Sequence, residues 1–130
     1  MVEFIVFCSM LSSERWQRKA TTLWTVRDLI VHMVGWEEKS YKALLEVKKT
    51  MKFITQPSKE ECDELNRLFS VRYASYSNDA LITEWKYWRE KIDKFISKND
   101  MKSEIFCWFF DDHKDHHFLQ VKNSLENSPN

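Results

Sequence analysis

Trp24-Thr25-Val26-Arg27-Asp28-Leu29-Ile30-Val31-His32 reads as the start of a long helix. Thr25 has the side chain of a good N-cap. Asp28, three residues on, makes a variant of the capping box, in which each side chain satisfies the other residue's backbone N–H. Trp24 before the cap and Leu29 at the fourth helical position suit a hydrophobic staple. Val26, Leu29, Ile30, Met33, Leu44 and Val47 then recur at helical spacing and predict a buried stripe on a helix from Val26 to about Lys49. Gly35 lies inside that helix at a cost of roughly 1 kcal/mol against alanine. It is either tolerated there or keeps room for a neighbouring helix or a ligand.

Outward from this stretch the composition points the same way. The chain of 130 residues has Gly 1 and Pro 2, so it is poor in the residues that break helices and make turns. Its hydrophobic fraction of 43%, with aromatics at 15%, is enough for the core of one domain. Lys plus Arg, 20, balance Asp plus Glu, 20, which argues against a nucleic-acid binder, whose affinity comes largely from neutralised phosphates. The three cysteines, Cys8, Cys62 and Cys107, are widely spaced and form no CxxC pair; they read as buried free thiols in a reducing cytoplasm. The apolar run from Phe4 to Leu11 follows Glu3 and makes a poor signal peptide. No stretch approaches the ~20 apolar residues of a membrane span.

The remaining segments also read as helices. Phe4, Ile5, Phe7, Cys8 and Leu11 fit a helical stripe closed by Ser12 and Ser13. Val2, Ile5 and Val6 suit a strand as well, but no second strand exists to pair with it. Residues 14–24 read as a connection with at most a turn of helix. A helix starting at Pro57 or Ser58, with Glu60 and Glu61 in its first turn, is expected to run to about Tyr76. Ser77-Asn78-Asp79 offers a new N-cap for a helix carrying Leu81, Trp85, Trp88, Ile92 and Phe95, which Ser97-Lys98-Asn99-Asp100 breaks. A last helix is expected from Ser103 to about Leu125. The organisation is all-α, a single domain over residues 1–125 with residues 126–130 as a disordered tail.

The chemistry gathers in Asp111-Asp112-His113-Lys114-Asp115-His116-His117, which holds three of the 4 histidines. His113 and His117 are one turn apart and share a helix face with Phe106, Phe110 and Val121, while Asp111, Asp115 and Lys122 lie opposite and His116 is on the flank. Two imidazoles on an apolar face must satisfy their ring nitrogens, and one metal ion does so for both. His32 is the remaining histidine, and we expect the fold to bring it to this pair. Three histidines leave a position open for water or a thiolate, the arrangement of an active metal rather than a structural one. The plainer readings are a hydrogen-bonded core histidine for His32 and a solvated patch for the His/Asp-rich run. Asp28, one turn before His32, either orients its ring or only caps the helix.

Taken together, these segments resemble a known family. Trp24 to His32 with Trp36-Glu37 resembles the W-[ST]-V-[KR]-D-L-L-A-H-L…W-E pattern of the DinB-like (DinB/YfiT) superfamily. Asp112-His113-Lys114-Asp115-His116-His117 resembles that family's D-H-Y-x-E-H-L helix, and Asp63-Glu64-Leu65-Asn66 resembles its middle E-x-N segment. The resemblance spans nearly all of residues 20–125. It implies a four-helix bundle of up-down-down-up order and a divalent metal, usually zinc or nickel, held by His32, His113 and His117. It also implies homodimers, and a small-molecule substrate handled by hydrolysis or by transfer with a low-molecular-weight thiol. The chain departs from the pattern at Lys114, where a tyrosine is usual and the pocket mouth is affected, and at His116, where an acid is usual. Its first helix is also shorter. The alternative is a non-catalytic or ClbS/DfsB-like protein that binds a small molecule protectively, which the Asp63–Asn66 stretch favours and the HxxxH pair disfavours. A third reading is a dimer whose histidines only pack.

Overall fold

The first turn of a helix has backbone N–H groups with no partner inside the helix, and short polar side chains, Ser12, Thr25, Ser58 and Ser77, meet them at the starts of four helices of this chain. The structure, a computed structural model, describes residues 1–51, 57–99 and 107–126, and within the last stretch the side chains of 115–125. The described residues form α1 (Val2–Ser9), α2 (Ser13–Trp16), α3 (Val26–Thr50), α4 (Lys59–Arg72), α5 (Asn78–Lys98) and α6 (Cys107–Glu126). They include no strand beyond an isolated bridge between Lys19 and Thr25. None of their helices is long and apolar enough to cross a membrane.

The expected caps form. Thr25 Oγ1 accepts from the Asp28 backbone N–H at 3.1 Å, and Asp28 Oδ2 accepts from the Thr25 N–H at 2.9 Å, completing the capping box of α3. Ser58 accepts from Glu61 N–H at the start of α4, and Ser77 from Ala80 N–H at the start of α5. Ser12 differs from expectation. Its hydroxyl accepts from Arg15 N–H and so opens the short α2, while α1 ends earlier, at Ser9. At its other end α3 stops at Met51, whose φ of 57° lies in the left-handed region and cannot continue the helix.

The helix expected to reach Tyr76 stops at Arg72, and Arg27 accounts for the turn that follows. The Arg27 guanidinium donates to the carbonyls of Tyr73 at 3.2 Å and Tyr76 at 2.6 Å, and to Asn78 Oδ1 at 2.8 Å. Carbonyls that a helix would have used internally are thus satisfied from α3, and the chain turns into α5.

The core lies around α3, which packs against α2, α4 and α5, while α1 packs on α5. Phe4, Leu29, Ile30, Leu81 and Trp85 are fully buried there. Phe4 meets Trp85 edge-on at 4.9 Å and stacks on Phe118 of α6 at 4.7 Å, which ties both terminal helices to the same core. A second small cluster joins Leu44 to Ile92. Gly35 has a definite reason: a Cβ there would lie 2.2 Å from the Phe69 ring, so the glycine lets α4 approach closely. Residues 103–106 and 127–130, parts of the expected last helix and tail, lie outside the described residues.

Candidate metal centre

His32 is on the second turn of the helix set by the Thr25 cap, and α3 points it into the protein, leaving 8% of it exposed. His117 of α6 is buried to the same degree, and Val121, one turn further along that face, is fully buried. Asp115 faces outward, as the helical spacing required, and His116, expected on the flank, is exposed as well. The two buried imidazoles come together from distant parts of the chain, with ring centroids 4.8 Å apart and planes at 81°. Two imidazoles on one tetrahedral ion have centroids roughly 5 Å apart, so this pair fits shared ligation as well as edge-to-face packing. His113 lies on α6 one turn before His117; its side chain, like those of Lys114, Phe110 and Cys107, is outside the described residues. Among the described residues no group of three His, Cys, Asp or Glu side chains is arranged to hold a metal ion.

The surroundings favour a neutral His117 ring. Burial lowers the His117 pKa below its usual range and His116 pushes the same way, while a hydrogen bond with Gln120 opposes them. His117 Nδ1 lies 2.7 Å from Gln120 Oε1, and Gln120 Nε2 lies 3.2 Å from His116 Nε2. His32 Nδ1 lies 2.9 Å from Asn66 Oδ1, which also accepts from the Trp36 indole N–H at 2.7 Å. Asp28, a candidate to orient His32, has its Oδ2 on the Thr25 N–H instead. Trp24, expected to staple the helix start, is half-buried with its ring 4.8 Å from that of His32.

A cavity of about 190 Å³ opens beside His32, lined by Trp24, Asp28, His32, Asn66 and Ser70. Its walls combine one indole with a carboxylate, an amide and a hydroxyl. That mixture suits a small polar molecule and places it against the imidazole. The described thiols, Cys8 and Cys62, are poorly suited to the work. Cys8 is buried and its pKa is pushed up to about 12, and Cys62 is also raised by desolvation and by its neighbours Asp63 and Glu61.

Gln120 and Asn66 also take part in the site, beyond the residues that the sequence singles out as ligands. Gln120 follows His117 at i+3, a spacing that could have revealed it. Asn66 is on another helix, and only a family likeness had drawn attention to it. Compared with family models, curated proteins and solved structures, the chain gives no match.

Proposed function

We propose that this chain is a metal-dependent enzyme of the DinB-like kind, a four-helix bundle in which His32, His113 and His117 hold one divalent ion, zinc or nickel. The observation that carries the reading is the approach of the buried His32 and His117 rings to 4.8 Å from opposite ends of the chain. Packing alone rarely places two imidazoles together in an apolar core, because each must satisfy its ring nitrogens. Imidazole donors suit zinc and nickel, and the neutral form they require is the one that burial favours at His117.

When bound, such an ion supplies Lewis acidity to water or to a small thiol. The chain's own residues do the rest. The Trp24 indole walls the cavity beside His32, while Asp28, Asn66 and Ser70 offer a substrate its hydrogen-bond partners. The substrate is a small molecule, with a low-molecular-weight thiol as the candidate second reactant. We place the protein in the cytoplasm, as a homodimer. The polar cavity at Asn66 also favours a second reading, a protective protein that binds a small molecule without catalysis.

Metal analysis of the purified chain supplied with zinc or nickel tests the proposal. We expect about one equivalent per chain, a melting temperature that rises with metal, and loss of both in His113→Ala and His117→Ala. A protein that retains no zinc or nickel refutes it. A His117→Ala chain that keeps its cellular role favours the protective reading.

A further inference from the structure

Asn66 fixes which nitrogen of His32 carries the proton, and the proof lies in the third member of the group. The Trp36 indole N–H can only donate, so the amide atom it meets at 2.7 Å is an oxygen acting as acceptor. This removes the usual uncertainty over which way an asparagine amide points. His32 Nδ1 lies 2.9 Å from the same oxygen, which has no proton to offer, so Nδ1 is the donor. In a neutral imidazole the lone pair is then on Nε2. Gln120 gives no such proof for His117, because its amide satisfies His116 and His117 in either orientation.

We infer that Asn66, locked by Trp36, is a positioning residue that holds His32 as the Nδ1–H tautomer and so directs Nε2 to the metal centre. The geometry is distributed over the fold in a consistent way. Trp36 lies one turn after His32 on α3, and both side chains meet a single oxygen supplied by α4. Gly35 allows the close approach of that helix, with Phe69 resting where a Cβ would otherwise stand. A histidine that ligates a metal commonly gives its other N–H to an oxygen acceptor, which fixes the ring and raises its basicity. Asn66 does so with a neutral group and adds no charge to the site. The part of the inference that concerns metal affinity rests on the function proposed above; the tautomer does not.

The tautomer can be read in the metal-free full-length chain by nitrogen-15 NMR of the imidazoles, at a pH where His32 is neutral. We expect a protonated-type Nδ1 and an unprotonated-type Nε2 in the wild type. Trp36→Phe keeps a ring but frees the amide to turn, and Asn66→Ala removes the acceptor; both should give mixed tautomers. Asn66→Asp keeps an acceptor and should preserve the wild-type signature. In a zinc titration Asn66→Ala should weaken binding by about 10–100-fold, with Asn66→Asp restoring it. A wild-type His32 protonated on Nε2 overturns the inference whatever zinc does, as does an Asn66→Ala chain with unchanged tautomer and zinc affinity. The expected tautomer in a wild type that takes up no zinc supports the assignment and refutes the metal reading instead.

Discussion

On the side of α3 that meets α4, buried polar atoms are matched several times over; on the side that meets α5, one buried carboxylate leans on a single guanidinium. The contrast is sharpest between adjacent residues. Glu38 is 4% exposed and accepts from the Tyr73 hydroxyl at 2.9 Å, from Lys42 at 3.0 Å and from Arg72 at 2.8 Å. Glu37 is 2% exposed and meets Arg89 at 3.3 Å, while Arg89 also reaches Asp93 at 3.2 Å. The Trp85 indole N–H is near enough to favour the charged carboxylate, yet neither it nor Glu37 Oε2 completes a hydrogen bond among the described residues. Burial therefore wins over the attraction of Arg89, and the Glu37 pKa is raised to about 7.

The α4 side, with its shared Asn66 oxygen and its glycine contact, specifies how two helices align. A shift of α4 along α3 would lose the His32, Trp36 and Glu38 hydrogen bonds together. The α5 side is built mainly from apolar burial, with Leu81, Ile82, Trp85 and Ile92 in the core. There the ion pair gains little, because desolvation offsets its Coulombic attraction. Precision at the site comes from one face and bulk stability from the other.

The largest effect is expected where the weaker pair is broken. Arg89→Met leaves Glu37 buried beside an apolar side chain and should cost about 3 kcal/mol at pH 8. The loss should be smaller at pH 5, where the carboxyl is protonated. Denaturant unfolding at both pH values checks this, and equal losses would mean that Glu37 is charged in neither case or in both. Next comes Glu37→Gln. A folded pKa of about 7 against an ordinary 4.5 means that the folded state holds this proton more tightly than the unfolded one. The stability it contributes is present below the unfolded pKa and is lost as pH rises through the folded one. Glu37→Gln should remove that slope, whose ceiling is about 3 kcal/mol. A wild-type stability curve that is flat from pH 4.5 to 7 would contradict the raised pKa.

The smallest effect probes the other face. Gly35→Ala gains roughly 1 kcal/mol in helix propensity but forces the Phe69 ring away, for a net loss of about 1–2 kcal/mol. Because that ring sits beside Trp36, at 5.6 Å between centroids, the variant should also disturb the His32 environment in NMR spectra. A more stable Gly35→Ala protein would show that α4 can move without cost.

Much of this molecule was legible in neighbouring residues. The caps at Thr25, Ser58 and Ser77, the buried stripe of α3 and the outward turn of Asp115 all follow from interactions spanning three or four residues. A local hydrogen bond or a helical period is written where it acts. Ser12 is locally ambiguous, because a serine can close one helix or open the next, and here it opens α2. The halt of α4 at Arg72 was hidden for a related reason, since the group that satisfies its turn is Arg27, on another helix.

That His32 meets the closing histidines is expected from the sequence, but its 4.8 Å approach to His117, the Asn66 oxygen shared by two rings, and the unequal treatment of Glu37 and Glu38 are decided by the fold. His32 and Asn66 are 34 residues apart, and nothing in either neighbourhood encodes the distance between them. That distance is settled by the way helices nest, which depends on volume: a missing Cβ at Gly35, filled by Phe69, brings α4 near enough for its amide to reach the imidazole. Residue types announce which atoms can donate, accept or ligate; packing alone brings those atoms within reach of one another.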